Sequence, residues 1–175
     1  MKYSELPKLI SYSGNGFSVS LNYLQEQLDS WQIDYGLDLN PDFQRGHVWT
    51  EKQQIKFVEF ILRGGKCPAI LFNSPAFAGR FSKNCDLGEM IVCVDGKQRL
   101  TALLKFLRGD LKVFGNNTIY DIEDYVVMRR ILYVNFAVNQ LQTRKELLQW
   151  YLELNEGHIA HTEEELDKVR NMLKE

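Results

Sequence analysis

The chain has 175 residues, of which 45% are hydrophobic and 25% charged, and its formal net charge is −2. This length predicts one domain with its own hydrophobic core, and the near-neutral charge excludes an overall attraction to nucleic acid while leaving room for a local basic site. The three cysteines form no CxxC pair, and no signal peptide or long apolar run is present, so we expect a cytoplasmic protein without membrane contact.

The first folded elements in the sequence are a helix and a short strand. Residues 1–17 end in glycines and serines and are predicted to form a flexible segment, which makes residues 18–175 the folded domain. Ser20 is placed to cap a helix, and Leu37 and Leu39 alternate with polar residues as in a strand. Four apolar residues at helical spacing give the helix its buried face: Leu21, Leu24, Leu28 and Trp31.

A second helix and a strand follow. Thr50 and Gln53 form the capping box of this helix, and Gly64-Gly65 end it. Residues 68–72 are apolar after a proline and are predicted to form a strand. Residues 73–89 contain proline, asparagine and glycine, which predicts a hairpin or a long loop.

Short strands alternate with helices through the rest of the chain, which predicts an α+β fold with a small mixed sheet flanked by helices. The apolar residues 91–94 predict a buried strand, and leucines at helical spacing predict a helix over residues 97–108. Four further elements are predicted: a small hairpin around Asn116-Asn117, a strand over residues 131–138, a helix capped by Thr143, and a final helix opened by Thr162 and Glu165.

Residues 95–99, with the sequence Asp-Gly-Lys-Gln-Arg, stand where the strand passes into the helix. Gly96 permits a sharp turn and close approach of a ligand to the backbone. The free N–H groups and the dipole of the new helix favour an anion there. Lys97 and Arg99 add positive charge, and Asp95 supplies a carboxylate for a metal or a proton. The pattern is typical of a phosphate-binding turn, and an ordinary turn with surface charges is the alternative.

A second polar loop precedes a helix in the same way. Gln44-Arg45 lie just before the helix capped by Thr50, so two basic loops are in position to converge on one ligand. The alternative interpretation is that Phe43 and Trp49 anchor a surface loop and that Arg45 is solvated.

Other chemistries find little support in the motifs. The sequence contains no P-loop, dinucleotide fingerprint, GxSxG or HExxH motif. His158 and His161 have no third metal ligand nearby, and Asp124, Arg129 and Arg130 are interpreted as a solvated face. Enough carboxylates for a Mg²⁺ site are present, although spacing does not show that they converge: Asp42, Glu89, Asp95 and Glu156.

Three stretches together resemble a known family: residues 42–49, residues 94–103, and residues 154–157 with Glu165-Leu166. Their order and spacing are similar to the N-terminal domain of GmrSD-type modification-dependent restriction endonucleases, in the ParB/sulfiredoxin-like superfamily. The resemblance covers roughly residues 20–170, nearly the whole of a domain of this size. It implies a ParB-like α+β fold with a nucleotide pocket. In that family an Asp-Gly-Gln-Gln-Arg motif is tied to NTP binding and hydrolysis, which control cleavage of modified DNA by a separate HNH nuclease domain.

The resemblance also implies roles for single residues. Asp95 would hold Mg²⁺ or orient water, Gln98 would position the attacking group, and Arg99 would clamp phosphates as the third catalytic residue. Lys97 replaces the first glutamine of the family motif, where it meets phosphate as a point charge. The implied nucleotide-binding residues are Gln44, Arg45, Gly96, Lys97, Arg99, Thr101 and Asn155.

These observations predict a nucleotide-binding, NTP-hydrolysing domain that uses Mg²⁺. Because 175 residues leave no room for an HNH domain, we expect any DNA cleavage to need a separate nuclease subunit. The alternatives are a phosphotransferase on the same fold, a decoy of a host nuclease, and a non-enzymatic module that binds DNA or a partner protein. In the DNA-binding alternative, Phe43, His47 and Trp49 would stack on bases.

Overall fold

The computed structural model of the chain describes residues 9–10, 15–44, 49–77, 85–156 and 163–174. The strands within these ranges are Asn15–Ser20 (β1), Leu37–Asp38 (β2), Ile70–Asn73 (β3), Ile91–Asp95 (β4) and Tyr133–Asn139 (β5). The helices are Leu24–Asp34 (α1), Glu51–Leu62 (α2), Lys97–Leu107 (α3), Tyr125–Ile131 (α4), Arg144–Glu156 (α5) and Glu163–Met172 (α6). Among these helices, none combines the length and the hydropathy that crossing a bilayer requires.

The five strands form one mixed sheet in the order β1-β5-β3-β4-β2. β1 with β5 and β3 with β4 are antiparallel, whereas β5 with β3 and β4 with β2 are parallel. β2 pairs with β4 only at Leu37–Ile91 and Asp38–Val92, so the second half of β4 extends beyond its neighbour. The α+β fold with a small mixed sheet and flanking helices is therefore confirmed.

Both faces of the central strands are covered, which explains why β4 is apolar almost throughout. Ile91 and Cys93 pack on the side of α1, where Trp31, Phe72 and Phe136 form a buried aromatic cluster. Their ring centroids are 5.0 to 5.4 Å apart. The opposite side of β4 packs on α5 through Val94. A third cluster joins α2 to α3 through Val58, Ala102 and Phe106.

Most helix signals in the sequence are confirmed where the structure describes them, but the predicted Ser20 cap is wrong. The face of Leu21, Leu24, Leu28 and Trp31 is buried, although a 3₁₀ turn over Leu21–Tyr23 precedes α1 and Ser20 makes no side-chain cap. Thr50 and Gln53 form the predicted capping box, and the Thr143 hydroxyl accepts a hydrogen bond from Glu146 N at 3.2 Å. Residues 78–84, inside the predicted loop 73–89, and the Thr162 cap lie outside the described residues.

One local prediction was wrong, one was confirmed only in part and one helix was missed, because neighbouring strands and turns outweigh local composition. β1 begins at Asn15, within the predicted loop, and pairs with β5 along its whole length. The hairpin around residues 116–117 reduces to one bridge between Val113 and Asn117, and a 3₁₀ turn over Ile119–Asp121 replaces its second strand. Helix α4 was not predicted, since its apolar residues do not follow a single buried face.

We predict that the aromatic cluster contributes strongly to stability. Phe72→Ala removes a fully buried ring and leaves a cavity, so the free energy of unfolding should fall by about 3–5 kcal/mol. Phe60→Ala is the matched control, because Phe60 is 53% exposed and its loss should cost about 1 kcal/mol or less. Urea denaturation of both variants measures the difference, and equal losses would contradict the placement of the core.

Candidate nucleotide-binding site

The turn between β4 and α3 is built on Gly96. Its φ of 99° and ψ of 4° lie in the left-handed region that residues with a Cβ avoid. A Cβ at this position would also stand 3.0 Å from two side-chain carbons of Ile70 and 3.1 Å from its α-carbon. Glycine is therefore required twice over, for the backbone conformation and for the close approach of β3. The predicted strand, glycine and helix occur as expected, with α3 beginning at Lys97.

A β-bulge lies immediately before this turn. Phe72 pairs with Cys93, but its neighbour Leu71 pairs with Asp95, so Val94 is an extra residue in β4. The bulge occurs where β4 has already passed the end of β2. Gln44 fills the place of the missing strand, because its Nε2 donates to the carbonyl oxygens of Cys93 at 2.9 Å and Val94 at 2.8 Å.

A second glutamine fixes the other end of the same connection. The backbone N–H of Trp49 donates to Gln98 Oε1 on α3 at 3.3 Å. Gln54 Nε2 on α2 donates to the carbonyl oxygen of Trp49 at 3.2 Å. Gln44 and Trp49, the two ends of this connection, are thus both hydrogen-bonded to the β4–α3 region. The ends of the first stretch of the family resemblance therefore lie beside the second stretch, residues 94–103. Arg45 and His47 lie outside the described residues.

Two of the three charged side chains at the turn form an ion pair with each other, and the third, Lys97, does not take part in it. Arg99 donates to Asp95 Oδ2 at 2.6 Å, and its side chain is only 12% exposed whereas that of Asp95 is 47% exposed. The Lys97 ammonium makes no hydrogen bond or ion pair with any described residue. The first backbone hydrogen bond of α3 runs from Leu100 N to Gly96 O at 2.9 Å, and Gly96 offers no side chain to cap the N–H groups before it.

Helix α5, which carries the start of the third stretch of the family resemblance, packs against this region. Phe43 is buried and its ring contacts that of Tyr151 on α5, with centroids 5.2 Å apart, in a cluster that includes Val94. Asn155 is buried one turn further along α5 and donates from Nδ2 to the carbonyl oxygen of Tyr151 at 2.6 Å. Asn155 therefore holds its own helix, and Gly157 lies outside the described residues. Burial of Phe43 rules out its predicted stacking on a base.

Thr101, on the first turns of α3, also has an internal role. Its hydroxyl donates to the carbonyl oxygen of Lys97 at 2.8 Å, one turn earlier on the same helix. A hydroxyl bonded in this way has its proton committed to the helix. The Thr101 hydroxyl can therefore accept a hydrogen bond from a ligand but cannot donate one while this bond is in place.

In the described part of the chain, the acidic residues do not form a metal centre. Among the described residues, no three histidine, cysteine or acidic side chains are grouped so as to hold a metal ion. Asp42, one of the four carboxylates considered from the sequence, instead accepts from Arg144 at the start of α5 at 2.6 Å. Asp95 remains as a single, half-exposed carboxylate beside the turn. One carboxylate fits a Mg²⁺ ion that arrives on phosphates, which supply its other ligands, and does not fit an all-protein cage.

Two cysteines near the turn, Cys67 and Cys93, have thiols of low reactivity. Burial, together with the nearby Asp95 carboxylate, raises the pKa of the Cys93 thiol to about 12. Burial also raises the pKa of Cys67, against the opposing effect of the Arg99 guanidinium. Both remain protonated at neutral pH, and a thiol of this kind is a poor nucleophile.

Some residues that shape the site escaped the sequence analysis. Ile70 and Val94 look like ordinary strand residues, and no local signal marks a bulge or a close approach. Gln54 could have been identified, because in the sequence it is a polar residue next to the apolar stripe of α2. The structure shows that it is buried.

Gly96 gives a direct test of the turn. In Gly96→Ala, a left-handed alanine costs about 1–2 kcal/mol and the clash with Ile70 adds about 1–3 kcal/mol to the loss of stability. Gly64→Ala is the matched control, because Gly64 also has a positive φ, of 89°, but nothing lies within 4 Å of its added Cβ. Chemical denaturation should show the larger loss for Gly96→Ala, and equal losses would mean that Ile70 does not constrain the turn.

Comparison of the chain with models of protein families gave a match. A family model described as the GmrSD restriction endonuclease N-terminal domain matches residues 24–175, which include the turn, both glutamines and α5. Searches of the curated proteins and of the solved structures gave no match. Because the family model spans most of the chain, the chain belongs to the family of GmrSD restriction endonuclease N-terminal domains.

Proposed function

We propose that the β4–α3 turn binds the phosphate groups of a nucleotide and that this binding regulates DNA cleavage in a restriction system. The family connects the chain to restriction. The observation that carries the nucleotide proposal is the uncapped start of α3 beside the Lys97 ammonium, which has no described partner. A positive group left uncommitted at a helix N-terminus favours an anion.

Three kinds of donor on the protein would contact the phosphates. The first-turn N–H groups of α3 point out of the helix end, Lys97 supplies a mobile point charge, and Arg99 supplies planar donors. Arg99 already uses one nitrogen on Asp95, and its nearly buried position strengthens any further charged hydrogen bond. Gln44 adds a buried Oε1 atom without a partner among the described residues, which suits a ligand donor.

In this proposal Mg²⁺ binds together with the nucleotide. Among the described residues, Asp95 would be its protein ligand at the turn, and the ion would neutralise charge on the phosphates. Asp95 would also orient water for hydrolysis, and Gln98 would position it. Because Gln98 also accepts a hydrogen bond from the backbone of Trp49, Trp49 should shift whenever the nucleotide changes the position of Gln98.

DNA binding as the primary role has less support. Phe43 is buried, and the ring of Trp49 packs against Phe57 with centroids 5.4 Å apart. Neither ring is presented as an open stacking platform of the kind that single-stranded nucleic acid uses.

A thermal-shift panel of NTPs and dNTPs with Mg²⁺ tests the proposal. A nucleotide at about 100 times its Kd should raise the Tm by roughly 5–10 °C. Lys97→Ala and Arg99→Ala should each weaken nucleotide affinity by about 10- to 100-fold, because each removes a charged hydrogen bond. Lys97→Gln, which restores the family motif, shows whether lysine changes the rate of phosphate release.

Lys105→Ala is the matched control, since it removes the same charge from the last turn of α3 and should leave the Tm shift unchanged. The shift is compared with each variant's own ligand-free Tm, so that loss of the Asp95–Arg99 pair is taken into account. No shift with any nucleotide, or equal shifts in all variants, would refute the proposal.

A further inference from the structure

Helix α4 has an apolar outer side that no described part of the chain covers. None of its residues is buried. Val127 and Ile131, one turn apart and therefore on one side, are 55% and 66% exposed. The other side of α4 packs against the core through Tyr125 and Met128. The helix thus has a normal inner side and a second, unpartnered apolar side.

Neighbouring residues extend this apolar surface. Leu21 N donates to the carbonyl oxygen of Leu132 at 2.9 Å, which holds the turn before α1 against the chain between α4 and β5. Tyr133, at the start of β5, is 56% exposed, and Tyr23 in the turn is 57% exposed. We call the following five side chains the α4 patch: Tyr23, Val126, Val127, Ile131 and Tyr133. Exposed apolar side chains on elements that contact one another in this way mark an interface.

The charges at the two ends of α4 identify the occupant. Asp124 precedes the first turn and Arg130 lies in the last, each three residues from Val127. Both are exposed, and neither makes an ion pair with any described residue. A surface with an acidic end, an apolar centre and a basic end is complementary to itself when it is turned through 180°.

We propose that the α4 patch is the interface of a homodimer in which α4 packs antiparallel to α4 of a second copy. The two-fold axis passes beside Val127, so that Asp124 of each copy faces Arg130 of the other. Such an isologous contact satisfies two equivalent ion pairs and covers the apolar centre in one step. The proposal is independent of nucleotide binding, because it uses no residue of the β4–α3 turn.

Sedimentation velocity across micromolar concentrations tests the dimer. The unmodified chain should show a monomer–dimer equilibrium, and Val127→Asp should abolish the dimer by placing two carboxylates at the axis. Val127 is exposed, so the fold should survive, which circular dichroism checks. Ile33→Asp is the matched control: Ile33 is 83% exposed on α1, outside the patch, and its change should leave the equilibrium as it was.

A charge exchange tests the antiparallel arrangement. Arg130→Glu should weaken the dimer by roughly tenfold, because both symmetric pairs become repulsive. Asp124→Arg alone should do the same, and the double variant should recover the original dimer affinity. Recovery is expected only when the two positions face each other across the axis.

A cross-link locates the axis. With Cys85→Ser as background, Val127→Cys should form a disulfide between copies when oxidised glutathione is added, since Cys67 and Cys93 are buried. A chain that stays monomeric at all concentrations would overturn the proposal. A dimer that survives Val127→Asp, a double variant that is not restored, or a Val127→Cys variant that fails to cross-link would overturn it equally.

Discussion

The contact between Gly96 and Ile70 is the constraint on which the candidate site depends. The glycine has no Cβ, so the end of β4 can turn sharply against β3 and α3 can begin at the next residue. That turn sets Asp95 and Arg99 four residues apart on either side of the glycine, where they form a short ion pair. It also leaves the first N–H groups of α3 without a capping side chain, which is the physical basis of the proposed anion site.

Several motif residues prove to have internal partners, which narrows the set that remains for a ligand. Gln44 and Gln98 tie the two ends of one connection to β4 and α3. Thr101 and Asn155 each bond to the carbonyl oxygen one turn earlier in their own helices. Lys97, the spare donors of Arg99 and the helix N–H groups therefore form the centre of the nucleotide proposal.

Local patterns were sufficient to predict much of this architecture. The apolar β4 residues, Gly96 and the leucines of α3 predicted strand, turn and helix, because each signal is read within one element. Pairing between distant strands was not readable in this way. The bulge at Val94, the contact with Ile70 and the extension of β1 to Asn15 all depend on neighbours far along the chain. Helix α4 escaped because its apolar residues face outward as well as inward.

The most direct test of the central claim is a ¹H–¹⁵N correlation spectrum recorded during titration with a Mg²⁺–nucleotide. If phosphates bind at the start of α3, the largest shift changes should fall on the backbone amides of Gly96, Lys97 and Gln98, with a smaller change at Trp49 through Gln98. Changes confined to other parts of the chain, or none at saturating nucleotide, would contradict the assignment of the β4–α3 turn as the site.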